Sequence, residues 1–365
     1  MKPEWKEKLL SSGAEFDTAG EARTGNPRVL HYGNADRELR ASLGGNTMVD
    51  LNHFGLIAAH GADMPAFLQG QITQDVAAVM AADQSRLGAY CTHQGRMLAT
   101  FRLFRSGDQL LIRLPRLMLE PILSRLQMYV LMSQVTLEDA SDALVRVGLS
   151  GPSAKQQVER ATELPAPVVN AVSRSEQALV IGVPAQPGFQ RYEIYGNLDR
   201  MTHIWDRLSV YCGRAGADTW GLQGVLAGVP TLHPETQSAF VPQMLNLQQL
   251  DGIAFDKGCY IGQEVVARMQ YRGELKRRMY LIRHTDPTRP GADLFVDPSA
   301  SSVGKVVESY AHPDGDYAGL AVLQTAHADK PLRLESAAGA AVTVSAPPYG
   351  LGDHADDAPS PTTPD

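Results

Sequence analysis

Short apolar runs and helical patterns take turns along this chain from about Val49 onward. "GLIAAHG" predicts a short strand, and Asp63 then stands as N-cap for a helix through "MPAFLQG", with Pro65 in the tolerated first turn. "RLGAYCTH", "GRMLATFRLFR" and "DQLLIRLP" predict three successive strands, with Gly95 and the "SGD" of 106–108 as turns. From Arg116 to Val130, Leu119, Ile122, Leu126 and Val130 recur at spacings of three and four, the signature of an amphipathic helix. Strands at "SQVTLED" and "ALVRVGLSG" follow. A second round comes next: a helix near 153–163, strands at "ALVIGVP" and "RYEIYG", and a helix from Leu198 to about Tyr211 with Met201, Ile204, Trp205 and Leu208 on one face. Two similar α+β units in tandem, with antiparallel as well as crossover connections, fit this order better than a parallel doubly wound sheet.

After "RGELKRR" the pattern changes to six short runs, "MYLIRHT", "ADLFVD", "SVGKVVESY", "YAGLAVL", "PLRLE" and "AAVTVSAPP", separated by Gly, Pro and Asp. That spacing predicts a small β-barrel. Residues 1–48 are polar and weakly periodic and are expected to form a helix-containing lead-in, followed by an α+β region over 49–274 whose two units need not be contiguous. The barrel is expected over 275–350, and the polar tail 351–365 is expected to be disordered and is given no function.

Composition narrows the class. A length of 365 residues suggests two or three domains, and 44% apolar with 20% charged residues is ordinary globular usage. No secretory h-region and no run of about 20 apolar residues is present, so cytosol is the expected address and no membrane is expected as a partner. A net charge of −7 argues against a globally basic nucleic-acid binder. The dispersed Cys91, Cys212 and Cys259 form neither a disulfide framework nor a zinc pattern, so no metal is expected. Phosphate loops, dinucleotide fingerprints, zinc-hydrolase helices and serine elbows are absent from the sequence.

The chemistry concentrates in 240–278, "FVPQMLNLQQLDGIAFDKGCYIGQEVVARMQYRGELKRR". A helix starting near Gly258 would hold Cys259 in its first turn, where unpaired N–H groups favour a thiolate and Lys257 would add to the effect. Gln263 would stand four residues on, within reach of the sulfur, and Glu264 would pair with Arg268. Gly258 and Gly262 each cost roughly 1 kcal/mol inside a helix, which points to a close backbone or ligand. The competing readings are a Cys259 that fills space as a small hydrophobe and a Cys–His hydrolase, for which the sequence places no histidine beside it. Arg268, Arg272, Lys276, Arg277 and Arg278 could receive a carboxylate-rich or phosphate-rich ligand, or form a solvated face. Trp220 and Tyr260 could stack on a flat heterocycle or belong to the core.

"KGCYIGQEVVAR", extended by "FVPQMLNLQQLDGIAF" and "QYRGELKRR", closely resembles the YgfZ family of folate-binding proteins, related to the T-protein (aminomethyltransferase) of the glycine cleavage system. "DLNHFGLIAAHGADMPAFLQGQITQDV" and "THQGRMLATFRLF" extend the resemblance over roughly 49–350. It implies a three-domain cloverleaf, two ferredoxin-like units and a C-terminal β-barrel around a central hole for tetrahydrofolate or a one-carbon derivative. It also implies a role in assembly or repair of iron–sulfur proteins, including those that modify tRNA, with such proteins as partners and no direct contact with nucleic acid. The motif Lys257, Gly258, Cys259, Tyr260, Gly262, Gln263 and Glu264 would carry the function, Cys259 as its sensitive thiol. Asn246, Arg268, Trp220 and Tyr260 are the candidate folate contacts. Two positions depart from the T-protein pattern: Ala99 and Thr100 stand where its catalytic acids would be, and Leu226 where its pterin-gripping carboxylate would be. A methyl and a hydroxyl cannot supply a carboxylate's charge, so a folate-dependent one-carbon transferase is the alternative rather than the leading reading.

Overall fold

Several strands of this chain are covered on both sides. All seven residues of Val145–Gly151 are buried, as are six of the seven in Phe54–His60. A computed structural model describes residues 1–24, 28–272, 275–296 and 301–351. It contains a five-stranded antiparallel sheet in the order Ser85–Cys91, Met97–Ser106, Gln109–Pro115, Phe54–His60, Thr136–Asp139. The helices Met64–Gln69, Val76–Ala81 and Arg116–Gln127 cover its outer face through Leu68, Val79, Leu119 and Ile122.

A six-stranded sheet runs Val172–Arg174, Ala178–Val183, Gln190–Gly196, Val145–Gly151, Thr47–Asp50, Gly213–Ala215. Only the last pair is parallel. Its outer face is covered by Ala154–Thr162 and Leu198–Ser209. Met201, Ile204, Trp205 and Leu208 are all buried on the latter, each contributing about 1.5–3 kcal/mol or more by leaving water. The inner faces of the two sheets pack on each other through Leu56, Phe104, Leu111, Ile181 and Tyr195.

Six strands, from Arg277–His284 to Ala341–Ser345, close a barrel, one for each apolar run recognised in the sequence. No helix among the described residues is long and apolar enough to cross a membrane.

Three expectations change. The first segment is more than a lead-in: Trp5 and Leu9 of the helix Pro3–Ser11 are fully buried, and Trp5 meets Trp205 edge-on at 5.4 Å. Its indole N–H donates to the buried Asp50 at 2.8 Å. Asp63 precedes its helix without capping it, because its carboxylate accepts the Gln134 N–H at 2.7 Å instead. The helix expected near Gly258 begins only at Gln263, after a turn at Tyr260–Gly262. Residues 352–365, most of the expected disordered tail, lie outside the described residues.

Candidate functional site

A cavity of about 590 Å³ opens where the two sheets and the barrel meet. This lies within the roughly 300–1,000 Å³ common for small-molecule sites. The five-stranded sheet contributes Arg102 and Arg113, which stand directly opposite each other on adjacent strands. Like charges so placed repel, and a counter-charge must hold them. It comes from the other sheet: Glu193 Oε1 accepts from Arg113 at 2.8 Å, and Oε2 accepts the Tyr195 hydroxyl at 2.5 Å. Arg191, two residues along the same strand, donates to the carbonyls of Pro184 and Trp220.

Burial by itself would raise the pKa of Glu193. The guanidiniums of Arg113, Arg102 and Arg191, with the Tyr195 hydroxyl, outweigh it and hold the carboxyl below the ordinary range. Burial pulls Arg191 down to about 9 and Arg102 to about 10, both still cationic at neutral pH. His53, on the same side of the cavity, is pulled to about 3 by burial and by Arg28 and Arg113, so its imidazole is neutral.

The barrel supplies the opposite wall. Glu308, 2% exposed, accepts the Thr231 N–H at 2.6 Å and the Tyr310 hydroxyl at 3.2 Å. His233 Nε2 lies 3.8 Å from it, buried and without a hydrogen-bond partner. Tyr310 packs against Gly221 of the helix Ala217–Leu226 so closely that a β-carbon there would enter its ring. That contact fixes the helix to the barrel.

The residues expected from sequence fall elsewhere, with one exception. Trp220 lines the cavity, but Arg191 covers its ring at 4.0 Å from the centroid. The backbone at Gly148 also lies against the indole, with space for no β-carbon. With a guanidinium already stacked on it and a backbone strand beside it, Trp220 serves as packing rather than as a heterocycle clamp. Asn246 is 1% exposed and uses its amide on the Met279 carbonyl at 2.9 Å, tying the segment to the barrel. Arg268 is exposed on its helix and does not line the cavity. Among the described residues no ion pair joins it to Glu264.

Lys257 does not sit free beside a thiolate. Its ammonium donates to the carbonyls of Gln69, Ile72 and Gln74 at 2.8, 2.7 and 2.6 Å and lies 4.9 Å from the Tyr260 ring centroid. Burial lowers it to about 8. The lysine clamps the motif loop to the five-stranded unit. Tyr260 is buried beneath it, and the Ile261 N–H donates to Gly70. Gln263 reaches back so that its Oε1 accepts the Tyr260 N–H at 3.3 Å.

Gly262, at φ +83, presses on the Thr92 carbonyl and on Gly95, the close backbone approach that its composition implied. Gly258 has open space around it and needs no such account. Cys259 is exposed in this clamped loop, neither packed as a hydrophobe nor among the residues lining the cavity. The helix N-terminus lies four residues beyond it, so the expected first-turn environment is not formed.

Ala99 and Thr100, where acids would serve aminomethyl transfer, are both buried, and Thr100 Oγ1 accepts the Leu232 N–H at 3.0 Å. Leu226 packs half-buried against the core beside the barrel. The one three-residue set among the described residues able to hold a metal, His312, Asp314 and Asp316, surrounds Arg283 instead, which donates to Asp316 at 2.7 Å and to Asp314 at 3.2 Å. The cavity's charged residues were legible only as anomalies. Arg102, Arg113 and Glu193 each stand between two apolar or aromatic residues, and Glu308 follows Val306 and Val307, a placement that demands a partner.

The GCVT N-terminal domain profile matches residues 12–227. The chain is 32% identical over 314 residues to the tRNA-modifying protein YgfZ of Yersinia pestis (strain Pestoides F), covering 84% of this chain and 93% of that protein. The chain belongs to the YgfZ family. The YgfZ protein of Yersinia enterocolitica is 31% identical over 312 residues, with the same coverage. Among solved structures, the glycine cleavage system aminomethyltransferase T from Bartonella henselae superposes with a TM-score of 0.77 over 94% of this YgfZ-family chain and 96% of its own, at 18% identity. This YgfZ-family chain therefore shares the fold of that aminomethyltransferase, with an alanine and a threonine at positions 99 and 100.

Proposed function

We propose that the cavity binds tetrahydrofolate or a one-carbon derivative, and that the chain acts as a folate-binding accessory factor for iron–sulfur proteins, supporting tRNA modification through them. The observation that carries the folate reading is the buried carboxylate of Glu308, which faces the guanidiniums of Arg102, Arg113 and Arg191 across a 590 Å³ space. A reduced pteridine presents N–H donors along its edge, and ionised carboxylates are acceptor-only groups suited to them. Folate's own carboxylates would meet Arg28 and Arg116 in the same lining, each of which now pairs with an aspartate, Arg28 with Asp218 at 2.7 Å and Arg116 with Asp139 at 2.8 Å. The residues fit the group. Bound folate supplies one-carbon chemistry at its N5 and N10, while the chain's residues hold and orient it.

The accessory role is favoured over transfer by Ala99 and Thr100, which offer no carboxylate to a reacting amine. It is supported also by relatives that carry the name tRNA-modifying protein. Cys259 is the proposed functional thiol, and its exposure away from the cavity suits action on a macromolecular partner. Titration calorimetry with tetrahydrofolate tests the cavity: saturable binding at one site is expected, and its absence at high micromolar ligand removes the folate role. Complementation of a deletion strain, read out as iron–sulfur enzyme activity, tests the thiol. Cys259→Ser should fail, and full rescue by it would end the thiol assignment.

A further inference from the structure

Simple alternation along Ser302–Ala311 would send Glu308 to the same side as Val306, into the barrel core. It does not go there, because the pairing with Tyr317–Gln324 slips between Val306 and Glu308 and leaves Val307 as an extra residue. A bulge of this kind re-aims the side chains after it. Glu308 consequently faces the cavity, in contact with the Thr231 N–H outside the barrel.

There it is a buried carboxylate with no ammonium or guanidinium in contact, although the charge of Arg191 acts on it from a distance. Among the described residues no lysine or arginine comes within 4 Å, and His233 Nε2 stays at 3.8 Å. Glu193 is the reverse case, bonded to Arg113 and Tyr195 and flanked by Arg102 and Arg191. A buried carboxylate is costly unless donors satisfy it, and Glu308 receives only one amide and one hydroxyl. The two walls thus differ in sign: an acceptor in surplus on the barrel side, guanidiniums in surplus on the sheet side.

We infer that Glu308 is the group that receives the ligand's N–H donors, so that a bound reduced folate turns the 2-amino and N3–H edge of its pteridine toward the barrel. This rests on the folate reading of the cavity. The test is calorimetry of tetrahydrofolate and its 2-desamino-2-methyl analogue against the full-length chain and its Glu308→Gln, Glu308→Asp and Glu193→Gln variants, each first shown to be folded by thermal unfolding. Glu308→Gln should weaken tetrahydrofolate roughly 10- to 100-fold, the loss of a charged hydrogen-bond pair, and weaken the analogue, which keeps N3–H but lacks the 2-amino donors, distinctly less. Glu308→Asp keeps the charge and should retain the preference for tetrahydrofolate at reduced affinity, which guards against a glutamine variant that does not fold. Equal weakening of both ligands, no weakening, or a preference lost in Glu193→Gln instead would overturn the inference while leaving folate binding intact. Failure of the unaltered chain to bind tetrahydrofolate would remove the folate reading and this inference together.

Discussion

Gly262 and Thr92 touch through their backbones: a β-carbon on Gly262 would fall inside the van der Waals envelope of the Thr92 carbonyl oxygen. The contact joins the loop that carries Cys259 to the turn between two strands of the five-stranded sheet. Because Gly262 also holds φ at +83, a side chain there is strained twice over. Gly262→Ala should cost about 2–4 kcal/mol of stability, and Gly258→Ala, three residues before the same turn with open space around it, well under 1 kcal/mol. Urea unfolding of the two variants checks this, and equal losses would mean that the contact is not made in solution.

Lys257 donates to three carbonyls, those of Gln69, Ile72 and Gln74. Lys257→Met should lower stability by about 2 kcal/mol and loosen the loop, seen as faster amide exchange at Ile261, whose N–H is bonded to Gly70. Unchanged exchange would show that the loop is held by other means.

The three thiols should separate by reactivity. Cys91 and Cys212 are buried, which pushes each to about 12, while Cys259 is exposed. Titration of the native protein with an aromatic disulfide at pH 8 should consume one thiol rapidly and the other two only after unfolding. Rapid loss of two or three in the native state contradicts the fold around Cys91 and Cys212.

Glu193 makes stability depend on acid. Its folded pKa lies below the ordinary 4.5, so the stabilisation it confers is complete above the unfolded value and disappears as pH falls through the lower folded one. Denaturant midpoints measured downward from pH 6 should show a loss that Glu193→Gln reduces. That variant, by leaving Arg102, Arg113 and Arg191 without their carboxylate, should itself cost about 3–5 kcal/mol at pH 7.

His53 should remain neutral far into acid. Burial and its arginine neighbours lower it to about 3, so its imidazole resonances should stay constant between pH 8 and 5. Because the unfolded chain binds that proton near 6.5 and the folded chain does not, His53 contributes stability above 6.5 that declines as pH falls toward 3. A midpoint near 6.5 for His53 would place it in solvent.

Periodicity and turn residues alone marked the longer strands and helices in their order, the amphipathic face of Leu198–Ser209 and the six runs of the barrel, because these follow from short-range geometry; shorter elements such as Val76–Ala81, Val172–Arg174 and Gly213–Ala215 carried no such signal. Gly262 likewise marked a close backbone approach. Which elements meet was decided only in three dimensions. Thr47–Asp50 joins the sheet of the second unit although the strands of the first follow it in sequence. Trp5 enters a core built from residues two hundred positions away. The cavity gathers Arg102, Arg113, Glu193 and Glu308 from strands of two sheets and a barrel, and a single bulge aims the last of them. Lys257 and Trp220 were visible as residues, but their partners, three carbonyls and a guanidinium, exist as neighbours only after long-range packing. A charge in a strand announces that it needs a counterpart; the chain's tertiary closure determines which one it receives.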